Sequence, residues 1–174
     1  MTSNHKNRSV LLFLPATDFT EQEYLIISDA LTKAGIKIFI ASDSNFLCIG
    51  SNGLKVKNDI QLYNVHESNF GGLIIVGGKG TRNYWDNKTL QLIAQKFVKN
   101  KKTVGAICSA PIILAKAGLI TKATCYVDDI KALECEGVQF QNDPVVSENK
   151  IITGRDPVSS CEFAKTFLYE LSKN

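Results

Sequence analysis

The sequence predicts an α/β sandwich, a mostly parallel sheet with helices on both faces. Three observations lead there. Short continuous apolar runs of strand length recur along the 174 residues, segments of helical period separate them, and Gly or Asn-Gly marks the places where elements stop. Residues 9–14 form the first buried run. Residues 20–34 follow as a helix with Tyr24, Ile27 and Leu31 on one stripe, ended by Gly35. A second strand is expected over 36–41. Residues 46–56 read as a hairpin around Ser51-Asn52-Gly53, placed at an edge, because Asn-Gly supplies the positive φ of a tight turn.

Residues 72–76 are a buried strand that runs into Gly77-Gly78-Lys79-Gly80, and 87–101 is the amphipathic helix after it. Residues 103–107 are again strand-like. Cys108 follows with no spacer, and 109–117 has helical period until Gly118. A segment over 123–127, a short helix after Asp128, a hairpin over 145–153 around Glu148-Asn149 and a helix over 157–171 complete the domain, assigned to residues 9–174. Residues 1–8 read as a disordered tail.

The composition, 44% hydrophobic and 21% charged, is that of an ordinary globular chain and argues against a membrane protein or a disordered one. Its formal charge of +3 is spread out except at Lys99-Asn100-Lys101-Lys102, which suits the negative end of a helix better than nucleic acid. Five cysteines, an odd number without a CxxC pair, argue against a disulfide framework and against a zinc site, so no metal is expected. The run Val10-Leu11-Leu12-Phe13-Leu14 is too short for a signal sequence and is followed by Pro15 and Asp18. A reducing, cytoplasmic setting is the expectation.

In open α/β sheets ligands bind at the carboxyl ends of strands, and three features fall there: residues 18–23, the 77–80 loop and Cys108. A residue between strand and helix is held on a sharp turn with its side chain presented, as in hydrolase nucleophile elbows. A helix starting at Ser109 would aim its first amides at the sulfur and favour thiolate, and Pro111 fits a first helical turn. Spacing alone equally permits a small buried hydrophobe at Cys108. Gly77 to Gly80 lacks Walker spacing; it serves either as a tight turn or as an oxyanion hole, with Ser109 supplying the second amide. Glu23, beside Glu21, is either a partner of the helix dipole or a site acid.

Together, Val104-Gly105-Ala106-Ile107-Cys108-Ser109-Ala110-Pro111, Val76-Gly77-Gly78 and Phe19-Thr20-Glu21-Gln22-Glu23 resemble the ThiJ/PfpI family, of the class I glutamine amidotransferase-like superfamily. Leu114 to Leu119 looks like that family's elbow helix. The resemblance implies a flavodoxin-like three-layer sandwich, usually a homodimer, with no external cofactor. It implies that Glu23 hydrogen-bonds to the Cys108 sulfur and that Gly78 and Ser109 supply the oxyanion amides, with Gly77 beside them. It also implies an arginine near the pocket, matched here by Arg155. A carboxyl buried beside a thiolate would stay protonated and donate to it.

The departures bear on chemistry. A protease-like branch has histidine directly after the cysteine, where this chain has Ser109. The DJ-one-like branch has histidine in the segment matching Ala123 to Tyr126, where Cys125 or Tyr126 stands. The two histidines, His5 and His66, are not placed for a dyad. A cysteine protease needs a base for its thiol and an acid for its leaving amine, so protease or amidase chemistry is disfavoured. The resemblance implies instead a glyoxalase or deglycase acting on small reactive aldehydes such as methylglyoxal. The alternative is a non-enzymatic redox sensor or chaperone working through Cys108 oxidation.

Overall fold

The computed structural model describes residues 9–173; the expected tail, and His5 with it, lie outside them. The elements in chain order begin with β1 (Ser9–Phe13), β2 (Thr17–Phe19), α1 (Glu21–Lys33), β3 (Lys37–Ser42), β4 (Leu47–Gly50), β5 (Lys55–Lys57), β6 (Ile60–Gln61) and β7 (Gly72–Ile75). They continue with α2 (Lys88–Lys99), β8 (Thr103–Ile107), α3 (Pro111–Lys116), β9 (Lys122–Ala123), α4 (Ile130–Cys135), β10 (Gln139–Phe140), β11 (Val145–Glu148), β12 (Ile151–Gly154) and α5 (Ser160–Leu171). The main sheet has the order β11-β12-β8-β7-β1-β3-β6 and is parallel except where β11 turns back on β12. It is the flavodoxin-like arrangement expected.

Alternation along the buried strands sorts the core into two layers. Leu11, Phe13, Leu73, Ile75, Val104 and Ala106 face the layer of α2 and α3, whereas Val10, Leu12, Ile74 and Ile107 face that of α1 and α5. Strands covered on both sides need apolar residues at every position, which is why the runs read as continuous. The α5 layer approaches β8 closely: a Cβ on Gly105 would lie 2.6 Å from the Phe163 ring, so glycine there lets the aromatic row settle on the strand.

Two expectations are corrected. The hairpin over 46–56 forms as β4 and β5, but in a second, three-stranded sheet, where β4 pairs in parallel with β2. The main-sheet position beside β3 is taken by β6. Glu21 fastens this hairpin to α1, its Oε1 accepting the N–H of Asn52 at 2.7 Å and of Leu54 at 2.9 Å. Second, the elbow helix starts at Pro111, with Ser109 and Ala110 in a tight turn. At six residues its dipole is small, and stabilisation of charge on the sulfur must come from nearer donors.

Lys99 closes α2, and the ammonium of Lys102 reaches back to the carbonyls of Phe70, at 2.7 Å, and Glu67. The basic cluster is thereby part of a helix end. The later hairpin is as expected, β11 and β12 turning through Asn149 and Lys150, both at positive φ.

Candidate active site

Cys108 leaves β8 with φ of 64°, a left-handed conformation that costs a non-glycine residue about 1–3 kcal/mol unless its surroundings enforce it. They do. Its N–H donates to Gly154 O at 2.9 Å, its carbonyl accepts the Tyr126 N–H at 2.8 Å, and the Trp85 indole donates to Ser109 O at 2.8 Å. The turn is therefore held from β12, from the segment after β9 and from the end of the 77–85 loop. The thiol is presented at the carboxyl end of the sheet and is 6% exposed, so a reactant must come through the cleft above it.

Glu23 reaches this place because α1 carries it on the same buried stripe as Ile27 and Leu31. Its Oε2 accepts the Gly77 N–H at 2.8 Å, and its other neighbours are the side chains of Cys108 and Thr20. Oε1 is buried without a hydrogen-bond partner of good geometry, which makes it the oxygen available to carry a proton. Burial pushes the carboxyl from 4.5 up to about 7, against the pull of Gly77, Cys108 and Thr20. Burial and the neighbouring Glu23 also push the Cys108 thiol up, while the Ser109 N–H, which donates to the sulfur, pulls the other way. Because the Glu23 carboxylate pushes the thiol up, the pair resists carrying two negative charges at once. With Glu23 protonated, the repulsion vanishes and Oε1–H can be donated to a thiolate.

The glycine loop is packed against this pair. A Cβ at Gly77 would lie 2.6 Å from Cys108 Cβ and 2.9 Å from Glu23 Oε2. Gly78, with φ of 132°, donates its N–H to Ser109 Oγ at 3.1 Å, and the Ser109 hydroxyl donates to Gly78 O at 2.9 Å. In this resting arrangement the Gly78 amide is engaged. It meets an oxyanion only by exchanging Ser109 Oγ for it.

The cleft has a volume of about 210 Å³ and is lined at its floor by Cys108, Ser109, Gly78 and Thr20. Arg82 and Tyr126 form a wall, and Lys79, Asp128 and Pro157 the mouth. Arg82 is held by a bidentate pair with buried Asp129, 2.9 Å from Nε and 3.3 Å from Nη2, and its guanidinium lies 5.9 Å from the Tyr126 ring centroid.

Arg155 is the site residue that the structure moves elsewhere. It pairs with Asp156 at 2.9 Å and lines a different surface depression with Pro144, Val158 and Lys165. Asp156 caps the turn before α5 by accepting the Ser159 N–H, and this directs the arginine beside it away from the sulfur. The arginine of the cleft is Arg82, whose only sequence signal is its place two residues after the glycine loop. Of the two candidates at the missing histidine's position, Cys125 is buried in the core and Tyr126 lines the cleft. His66 precedes Glu67, whose carbonyl is bound by Lys102 just before β8 begins, so it lies at the opposite end of the sheet from Cys108. Among the described residues no histidine lines the cleft and no cluster is fit to hold a metal ion.

A strained cysteine elbow beside a buried carboxyl, on a flavodoxin-like sheet, defines a cysteine-centred α/β protein. The chain belongs to the DJ-1/PfpI family, whose model matches residues 8–170. It is 30% identical to an uncharacterised protein of Methanocaldococcus jannaschii over 98% of this chain and 86% of that one. It is 27% identical to the glutathione-independent glyoxalase DJR-1.2 of Caenorhabditis elegans, covering 90% of this chain and 85% of that protein. With the deglycase PfpI of Pyrococcus furiosus the identity is 29%, covering 84% and 90%. A ThiJ/PfpI domain protein from Brachyspira murdochii superposes with a TM-score of 0.94 at 26% identity, covering 97% of this chain and 99% of that one.

Proposed function

We propose that this protein is a cysteine-dependent glyoxalase acting on small 2-oxoaldehydes such as methylglyoxal. The observation that carries the reading is the pairing of Cys108, at the floor of a cleft of about 210 Å³, with Glu23 buried behind it. That volume lies below the roughly 300–1,000 Å³ usual for drug-sized ligands and suits a substrate of a few heavy atoms. The names of the nematode glyoxalase and the archaeal deglycase point the same way.

In this reading the Cys108 sulfur adds to the aldehyde carbon, and the aldehyde oxygen takes the proton from Glu23 Oε1, giving a hemithioacetal and a carboxylate. The carboxylate then removes the hydrogen from that same carbon and returns it to the neighbouring one, converting the adduct to a lactoyl thioester. Water hydrolyses the thioester, releasing lactate and restoring the shared proton. Ser109 N–H stabilises charge on sulfur, and Gly78 N–H serves the oxyanion once Ser109 Oγ yields. Working as a homodimer in a cytoplasmic setting belongs to the same proposal, in keeping with the family resemblance and five free thiols. No described helix is long and apolar enough to cross a membrane.

A redox sensor is the second reading. It is favoured by the Ser109 amide at the sulfur and by the lack of any other thiol along the cleft. One experiment separates the two. Purified protein should convert methylglyoxal to lactate catalytically, and Cys108→Ser should abolish conversion. Absence of turnover in the wild type, with Cys108 gaining oxygen under peroxide in intact mass, would establish the sensor in its place.

A further inference from the structure

Glu23 can move one proton between two carbons, but the enediolate formed between those events places negative charge on the substrate's ketone oxygen. That oxygen lies one carbon beyond the sulfur and needs its own donor. The cleft offers few. The Thr20 side chain lies against Glu23, and the Ser109 hydroxyl is engaged by Gly78 through both of its backbone groups. Arg82 turns Nε and Nη2 toward Asp129 and keeps Nη1, which can donate a hydrogen bond but does not give up a proton, and Asp128 is an acceptor when ionised. Lys79 is exposed at the mouth. Tyr126 is the uncharged acid among these groups: it lines the cleft, and among the described residues its hydroxyl makes no hydrogen bond. Its position is fixed relative to the thiol, since its backbone N–H holds Cys108 O at 2.8 Å and Arg82 lies against its ring face.

We infer that Tyr126 is the acid and hydrogen-bond donor to the substrate's ketone oxygen, a catalytic residue of the reaction proposed above and dependent on that reading. As Glu23 takes the hydrogen from the sulfur-bearing carbon, that C–H electron pair becomes the new carbon–carbon double bond. The ketone π pair moves onto oxygen, which takes the phenolic proton to give an enediol and a tyrosinate. Glu23 then protonates the second carbon, the tyrosinate recovers a proton from the hydroxyl on the first, and the lactoyl thioester results. Both side chains end as they began.

The test is Tyr126→Phe, which removes one oxygen and keeps the ring. Alkylation of Cys108 by iodoacetamide and the thermal midpoint should stay at wild-type values. Turnover of methylglyoxal should fall about 10²-fold in kcat with KM within a few-fold, the loss expected for one oxyanion donor. The primary isotope effect with aldehyde-deuterated methylglyoxal should increase, because C–H cleavage becomes more fully rate-limiting; a merely structural role would leave it unchanged. A kcat within twofold of wild type would overturn the assignment. If the wild type shows no turnover, the aldehyde reading fails and the donor role is read from the adduct. With carbon-13 methylglyoxal, the Cys108 hemithioacetal seen by NMR should be several-fold less populated in Tyr126→Phe. Equal populations, or no adduct in the wild type, would overturn the inference as well.

Discussion

Glu23→Gln is expected to stabilise the protein at pH 8 while disabling it. In the folded chain the carboxyl is raised from 4.5 to about 7, with burial the largest cause. Between those pH values the unfolded chain releases a proton that the folded one keeps, so stability falls as pH rises from 4.5 to 7 and is level beyond. The loss is about 3 kcal/mol. Glutamine has the same shape, can accept the Gly77 N–H and carries no such penalty. At pH 8 its thermal midpoint should lie roughly 6–12 °C above wild type for a chain of this size. At pH 4 both forms are neutral and the midpoints should converge. Turnover should fall by about 10²-fold or more, because no proton can pass through the amide. Thermal unfolding at the two pH values, beside the lactate assay, checks both halves. Equal destabilisation at pH 4 and 8 would show that shape, not charge, governs the position.

Gly78→Ala is expected to give a large loss of stability. The residue has φ of 132°, which side-chain-bearing residues rarely adopt, and a Cβ there would lie 2.3 Å from Asp18 O and 2.7 Å from Thr20 N. Both obstacles are backbone and cannot rotate away. Strain of about 1–3 kcal/mol and a similar overpacking cost give a total of roughly 2–6 kcal/mol. The shift would also separate Ser109 from the loop and remove the oxyanion amide. Gly53→Ala is the control, since it has positive φ of 93° but nothing within 4 Å. It should lose about 1 kcal/mol and retain activity. Chemical denaturation of the two variants compares them directly; equal losses would mean that the close approach at Gly78 is relieved elsewhere.

The sheet was legible because its strands are covered on both faces and so carry uninterrupted apolar runs, and because Asn-Gly and Glu148-Asn149 punctuate the hairpins. The phase of α1 was nearly so: Tyr24 is half-buried, and the stripe runs through Glu23, Ile27 and Leu31. A carboxylate on an apolar stripe is itself a signal for a site acid. Pairing in the small sheet was not legible, because β2 is three residues of mixed polarity recruited by β4 from a distant part of the chain, Thr17 pairing with Ile49. The arginine was misplaced for a similar reason. Sequence order brings Arg155 close to a strand end, but its orientation is set by Asp156, while Arg82 gains its place only when Asp129 folds against it from the far side of the elbow. Nor could spacing show that Ser109 Oγ already occupies the Gly78 amide.

The central claim is that Cys108 draws its reactivity from a proton shared with Glu23. The most direct test is the rate of Cys108 alkylation by iodoacetamide, followed by intact mass from pH 5 to 10. In the wild type the rate should rise with a midpoint near 7, where the pair loses its shared proton and the thiolate becomes available as the minor, reactive form beside the dominant Glu23 carboxylate. In Glu23→Gln no group titrates there, and the buried thiol should react only at a pH well above that midpoint. An identical profile in the two proteins would contradict the account, because the carboxyl would then have no part in making the nucleophile.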